Sequence, residues 1–328
     1  MKRWLTEDRL PVLITAVVTV AMFFAAGLQY DNFMTLRVLL NMFTDNGFLG
    51  VVAVGLTFVI LTGGIDLSVG AMVGCSSIIV ASLLQRDWPA LGAVGIALLF
   101  GCTIGALQGW LIARFRLQPF LVTLAGLFFC RGFGLRISQE SIAIMNPTFR
   151  HWSETSARLP ANASLTLSAI LLLLVVVVGW YVSRYTRFGR TVYAIGGNQA
   201  SAELMGLPVR RTLIGTYLLC GALAAFGGVM FSLFTRSGNA VSGTGLELDA
   251  IAAVVIGGTL LRGGYGSIPG TLLGVLVLAI VQTAITFDGT LSSWWTKIVI
   301  GVLLLAFLLA QRAIDAAARR RHGLASDG

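Results

Sequence analysis

Few side chains in this sequence can do chemistry within its apolar stretches. Asp66, Arg131, Glu247 and Asp249 are ionisable and stand at the ends of long apolar runs. A charge held in hydrocarbon is costly and is kept mainly for function, so these four are the candidates for an ion- or proton-coupled step. At run ends they also reach water, and interfacial charge is the competing reading. No run centre holds a carboxylate. Thr57, Gln108, Thr123, Thr259 and Gln282 add hydroxyls and amides that can bind a polar solute, or only a neighbouring helix.

Other chemistry is excluded by what is missing. A P-loop needs G-x-x-x-x-G-K-[ST], and the two lysines, Lys2 and Lys297, follow Met1 and Thr296. The chain therefore builds no nucleotide site of that kind. His151 and His322 both fall outside the apolar runs, which removes H-E-x-x-H and histidine proton relays. Cys75, Cys102, Cys130 and Cys220 lie inside apolar runs without C-x-x-C spacing and read as small buried hydrophobes. No metal or cofactor site is expected. The net charge of +9 comes from arginines scattered in short breaks, so no nucleic-acid-binding face forms.

The elements that must position these residues are membrane helices. Of 328 residues, 56% are hydrophobic and 11% charged, less than half the roughly 25% charged of a soluble domain. Apolar runs cover residues 11–29, 47–63, 67–84, 90–113, 118–135, 165–183, 213–235, 248–261, 268–286 and 293–311. The eighth is short for a span and reads either as a half-helix or as a segment extended by its neighbours. With the N-terminus in the cytoplasm, fifteen of the 23 basic residues fall in inner breaks, which supports ten segments with both termini inside. Lys2, Arg3 and Arg9 precede a first segment expected to stay uncleaved. Arg319-Arg320-Arg321 reads as a topology anchor near anionic lipid. The expected architecture is an all-α polytopic transmembrane bundle, one transmembrane domain over 1–328. It has a long outer loop at 136–164 and a basic inner loop at 184–212.

Glycine supplies the packing. Gly101, Gly105 and Gly109, and again Gly266, Gly270 and Gly274, form G-x-x-x-G-x-x-x-G strings that let helix backbones approach. Their placement suggests two pseudo-repeats, near 47–135 and 213–311, with broken helices. Thr62 to Gly70 interrupts two runs, and Asp66 with Ser68 is expected to cap the helix that follows. Gly257 to Gly266 is a second interruption, rich enough in glycine to force irregular backbone. In the inner loop, Asn198 through Met205 predicts a short helix stopped by Gly206 and Pro208. It presents Ala202, Leu204 and Met205.

Three strings in order resemble the ribose-type permeases of bacterial ABC sugar importers, the branched-chain and monosaccharide class. They are Gly63-Gly64-Ile65-Asp66-Leu67-Ser68-Val69-Gly70, the loop from Ala194 to Gly206, and Glu247 through Thr259. The resemblance runs essentially from end to end. It implies a multi-pass subunit of the bacterial inner membrane, not itself an enzyme, that passes a monosaccharide by alternating access. It implies as partners a second permease chain, a cytoplasmic ATPase holding ATP and magnesium, and a periplasmic sugar-binding protein. It assigns Asn198, Ala200, Ala202, Glu203, Gly206 and Pro208 to a coupling loop that meets the ATPase. The translocation path would draw on Thr57, Asp66, Gln108, Thr123, Glu247, Asp249, Thr259 and Gln282. Within the family, Leu40–Asn46, Gln139–Ile142 and Phe287–Lys297 resemble the galactofuranose-importer branch. An ion-coupled secondary sugar carrier is the alternative.

Overall fold

A computed structural model describes residues 10–159, 163–292 and 294–323, with side-chain surroundings for 12–157, 163–292 and 294–309. Lys2, Arg3, Arg9 and Pro160 lie outside the described residues, as do the side chains of the C-terminal arginine run. Among the described residues the chain forms fourteen helices and four short strands.

The helices are α1 (Leu10–Gln29), α2 (Leu36–Asp45), α3 (Gly47–Leu61), α4 (Val69–Gln85), α5 (Ala90–Phe115), α6 (Pro119–Ile137) and α7 (Pro147–Glu154). After them come α8 (Leu167–Tyr185), α9 (Arg187–Gly197), α10 (Gln199–Leu204), α11 (Val209–Thr235), α12 (Leu246–Ile256), α13 (Ile268–Asp288) and α14 (Trp294–Gly323). Each of the ten apolar runs contains a helix, although the eighth is helical only as far as Ile256. By length and apolarity six helices can cross a membrane: α1, α5, α6, α8, α11 and α13. A seventh span forms if α2 and α3, bent by 58°, count as one. α4 and the apolar part of α14 are shorter, and α12 at 11 residues reaches about half of a 30 Å hydrocarbon core.

α3 forms the centre, with every residue but Phe48 buried. α5 and α11 meet through glycine. A Cβ on Gly101 or Gly105 would overlap the α11 backbone, and one on Gly109 would come within 2.8 Å of the Ile214 Cα. The second glycine string behaves differently from the first. Gly266 lies before α13 with φ +151°, so only Gly270 and Gly274 are helical, and they press on α12 instead. The two strings therefore serve unlike contacts, one joining distant helices and one folding neighbours together.

α1 also packs on this pair. The Thr15 hydroxyl donates to the Ile256 carbonyl at 2.8 Å, satisfying one of the carbonyls left open where α12 stops. At one end of the bundle, strands β1 (Ile142–Ala143) and β4 (Ser237–Gly238) pair antiparallel. Beside them β2 (Ser156–Leu159) pairs with β3 (Ala163–Thr166). The opposite end carries α9, α10 and the turn from α5 to α6.

Candidate functional site

α9 and α10 build the site from local signals. Thr186 caps α9, its hydroxyl accepting from the Gly189 amide at 3.1 Å, and Asn198 caps α10 by accepting from the Ser201 amide at 2.9 Å. Gly206 at φ +73° turns the chain out of α10, and Pro208 precedes α11. The short helix thus ends at Leu204, with Met205 as its cap. Leu204 is 89% exposed and Met205 68%, a bare apolar tip. Ala202 does not join them, contrary to the sequence reading. It is fully buried against Ile195, Val209 and Leu213, because the tight turn at Gly206 folds α10 back onto the start of α11. Ala200 and Glu203 are exposed, and Glu203 pairs loosely with Arg116 at 3.7 Å.

α9 itself was not anticipated from sequence. Its C-terminal end touches both chain interruptions. The Gly264 amide donates to the Leu61 carbonyl at 2.9 Å, joining the loop after α12 to the end of α3. Gly196 lies against both of those atoms, and its missing side chain is what lets them meet. The Tyr193 hydroxyl donates to the Gly266 carbonyl at 2.9 Å. A displacement of α10 therefore reaches both breaks through one helix of 11 residues.

Around the first break, α4, α5, α6 and α11 enclose a polar cluster. Asp66 Oδ1 accepts from the Ser68 amide at 2.8 Å and from the Ser68 hydroxyl at 2.6 Å. Asp66 therefore supplies the α4 cap, while Ser68 makes no side-chain cap bond. Gln108 Nε2 donates to the Ser68 hydroxyl at 3.1 Å, and Thr123 donates to the Pro119 and Ile65 carbonyls at 2.9 and 3.4 Å. Asp66 does not reach water, contrary to the reading of a charge at a run end: it is fully buried, facing Tyr217 and Cys220 of α11. Tyr217 was missed by the sequence reading, although a lone tyrosine in an apolar run was a visible signal. Its hydroxyl abuts Gly64 without a hydrogen-bond partner. From there a cavity of about 960 Å3 opens past Arg116, Gln199 and Glu203 toward the α10 end. That size lies within the ordinary range of small-molecule sites.

The remaining candidates are dispersed. Thr57 bonds the Thr271 hydroxyl at 2.7 Å, a link between α3 and α13. Thr259 is buried beside Gly266 with its hydroxyl unpaired. Glu247 reaches over Gly70 toward Arg131, which donates to the Ala240 and Ser242 carbonyls at 2.6 and 2.9 Å. Asp249 pairs with Lys297 at 2.5 Å, and half-buried Gln282 lines a separate cavity of about 450 Å3 beside Lys297. Three candidates, Asp66, Gln108 and Thr123, thus converge, and five do not. At the far end, Glu154 binds Arg150 at 3.1 Å and Arg236 at 3.4 Å, tying the loop around α7 to the end of α11.

The branched-chain amino acid transport system / permease component family matches residues 38–308. The chain belongs to this permease family. It is 47% identical to the inner membrane ABC transporter permease protein YjfF of Escherichia coli (strain K12), over 94% of this chain and 93% of that one. It is 38% identical to the fructose import permease protein FruG of Bifidobacterium longum, covering 95% and 93%. Identity to the ribose import permease protein RbsC of Escherichia coli (strain K12) is 36%, covering 94% of each chain. No solved structure matches. Members of this permease family are transport components and not enzymes, and the apolar helices make this chain a multi-pass membrane protein.

Proposed function

We propose that the chain is the membrane-spanning permease subunit of a bacterial ABC sugar importer. It resides in the inner membrane, its ten apolar segments threaded with both termini in the cytoplasm and α12 among them as a half-helix. A separate cytoplasmic ATPase, which holds the ATP and magnesium, docks on the coupling loop and drives alternating access. A periplasmic binding protein delivers a monosaccharide to the loops at 136–164 and 236–247, and a second permease chain completes the pathway. The observation that carries this reading is the path from α10 to the chain breaks. The bare tip Leu204–Met205 stands on a segment that touches both interruptions directly. Full-length similarity to ribose and fructose import permeases supports a sugar cargo. The strings at 40–46, 139–142 and 287–297 favour galactofuranose.

The polar cluster suits this role. Asp66, Ser68 and Gln108 offer donors and acceptors next to the cavity, sealed from it by Tyr217. Rocking of α11 relative to α5 and α6 would wet the cluster and let sugar hydroxyls replace its internal bonds. Reconstitution tests the proposal: the permease, its ATPase and binding protein are expected to import galactofuranose in preference to ribose and galactose, only with ATP. Uptake by the chain alone on an ion gradient would overturn it in favour of a secondary carrier.

A further inference from the structure

We propose that the groove between α9 and α11 binds one anionic phospholipid, with its phosphate among Arg187, Arg190 and Arg211. This rests on the reading that α9 faces the cytoplasm, since the inner leaflet is the source of the lipid. The groove measures about 790 Å3 and is floored by Phe188, Ala194 and Leu207. Arg187 and Arg211 have no acidic partner among the described residues, and Arg190 donates only to the Tyr185 carbonyl at 3.4 Å. Three guanidinium groups around one hollow repel one another until an anion joins them. Their forked donors suit phosphate oxygens.

The apolar floor decides the kind of anion. Arg211, Gly215 and Leu218 follow one another along one face of α11 at helical spacing, with Phe188 against Gly215 and Leu218 38% exposed. α8 is joined to α9 through the single extended residue Thr186 and ends in exposed Trp180, Tyr181 and Tyr185, the kind of aromatic girdle that marks interfacial depth. A phospholipid uses both parts, its phosphate on the arginines and an acyl chain along the apolar strip. Free phosphate would use only the rim, and an acidic protein segment would leave the floor bare. Basic hollows between membrane helices on the cytoplasmic side hold such headgroups. The bound lipid would fasten α9, which touches both breaks, to α11.

The test is lipid retention by the purified full-length chain in detergent, counted by native mass spectrometry after exposure to phosphatidylglycerol or phosphatidylcholine. The expected result is about one phosphatidylglycerol per chain, with phosphatidylcholine washed away. Arg187→Gln with Arg211→Gln is expected to weaken retention about thirtyfold, from about fivefold per arginine. Should the pair fail to fold, Arg187→Gln alone carries the test at about fivefold. Arg114→Gln, at the same end on α5, removes an equal charge and is expected to leave retention intact. Inorganic phosphate should not displace the lipid. Equal retention by the variants overturns the proposal, as does displacement by inorganic phosphate. Loss of ATPase co-purification without loss of lipid would overturn it in favour of an acidic protein contact. None of these readouts requires transport, so failure of the importer reading would show separately in uptake.

Discussion

Gly196→Ala is the sharpest test of the coupling geometry. The added Cβ would overlap both the Leu61 carbonyl oxygen and the Gly264 amide nitrogen, which are bonded to each other at 2.9 Å. Both obstacles are backbone, so neither can rotate away, and the two breaks must separate by about 1 Å or more to reach ordinary contact. Losing the bond costs about 1 kcal/mol and overpacking a further 1–3 kcal/mol, together about 2–4 kcal/mol. The neighbouring Gly197→Ala is the matched control, because nothing lies within 4 Å of its Cβ. The assay is thermal stability of the purified permease by size exclusion, paired with ATP hydrolysis stimulated by the loaded binding protein. Gly196→Ala is expected to melt earlier and to lose stimulation while still binding the ATPase through α10. Gly197→Ala should match the parent in both. Equal behaviour of the two variants would refute the claim that α9 drives the breaks by contact.

Three further outcomes follow from the same geometry. Leu204→Asp should leave stability within about 0.5 kcal/mol, since the side chain is exposed, yet abolish ATPase co-purification; Ala202→Asp should instead fail in folding. Gly221→Val should loosen α5 from α11 by at least about 1–3 kcal/mol, because its side chain would meet the Gly101 carbonyl, and size exclusion after heating will read it. The hydrogen bond and charge of Arg150 hold the Glu154 carboxyl below the usual carboxylate range. The folded value being the lower one, that tie is fully present above pH 4.5 and is lost as pH falls through the depressed value. Carbonyl NMR of Glu154 should show the depression, and Arg150→Gln should largely abolish it.

Much of the architecture was legible because membrane helices write themselves as apolar runs. Ends were legible where a cap or a glycine marked them, as at Asn198 and Gly206. α2 and α9 were not, because each mixes polar with apolar residues and so makes no run. The break at Gly63 was visible, but the burial of Asp66 was not. Enclosure depends on α5, α6 and α11 closing over it from residues far along the chain, and periodicity carries no record of that. The same reason hid Tyr217 and turned Ala202 inward. The candidate hydroxyls split as local bonding allowed: Thr57 found Thr271, whereas Thr123 stayed beside the break.

The bond from Thr15 to Ile256 spans 241 positions of sequence, and this sets an order of assembly. A ribosome adds about 5–20 residues each second, so α1 enters the bilayer on the order of 10–50 s before its partner exists. During that interval the Thr15 hydroxyl must turn back on its own helix, and lipid must stand where α12 and α13 will sit. The first helix made is among the last to dock, and the final fold waits on the arrival of the broken one.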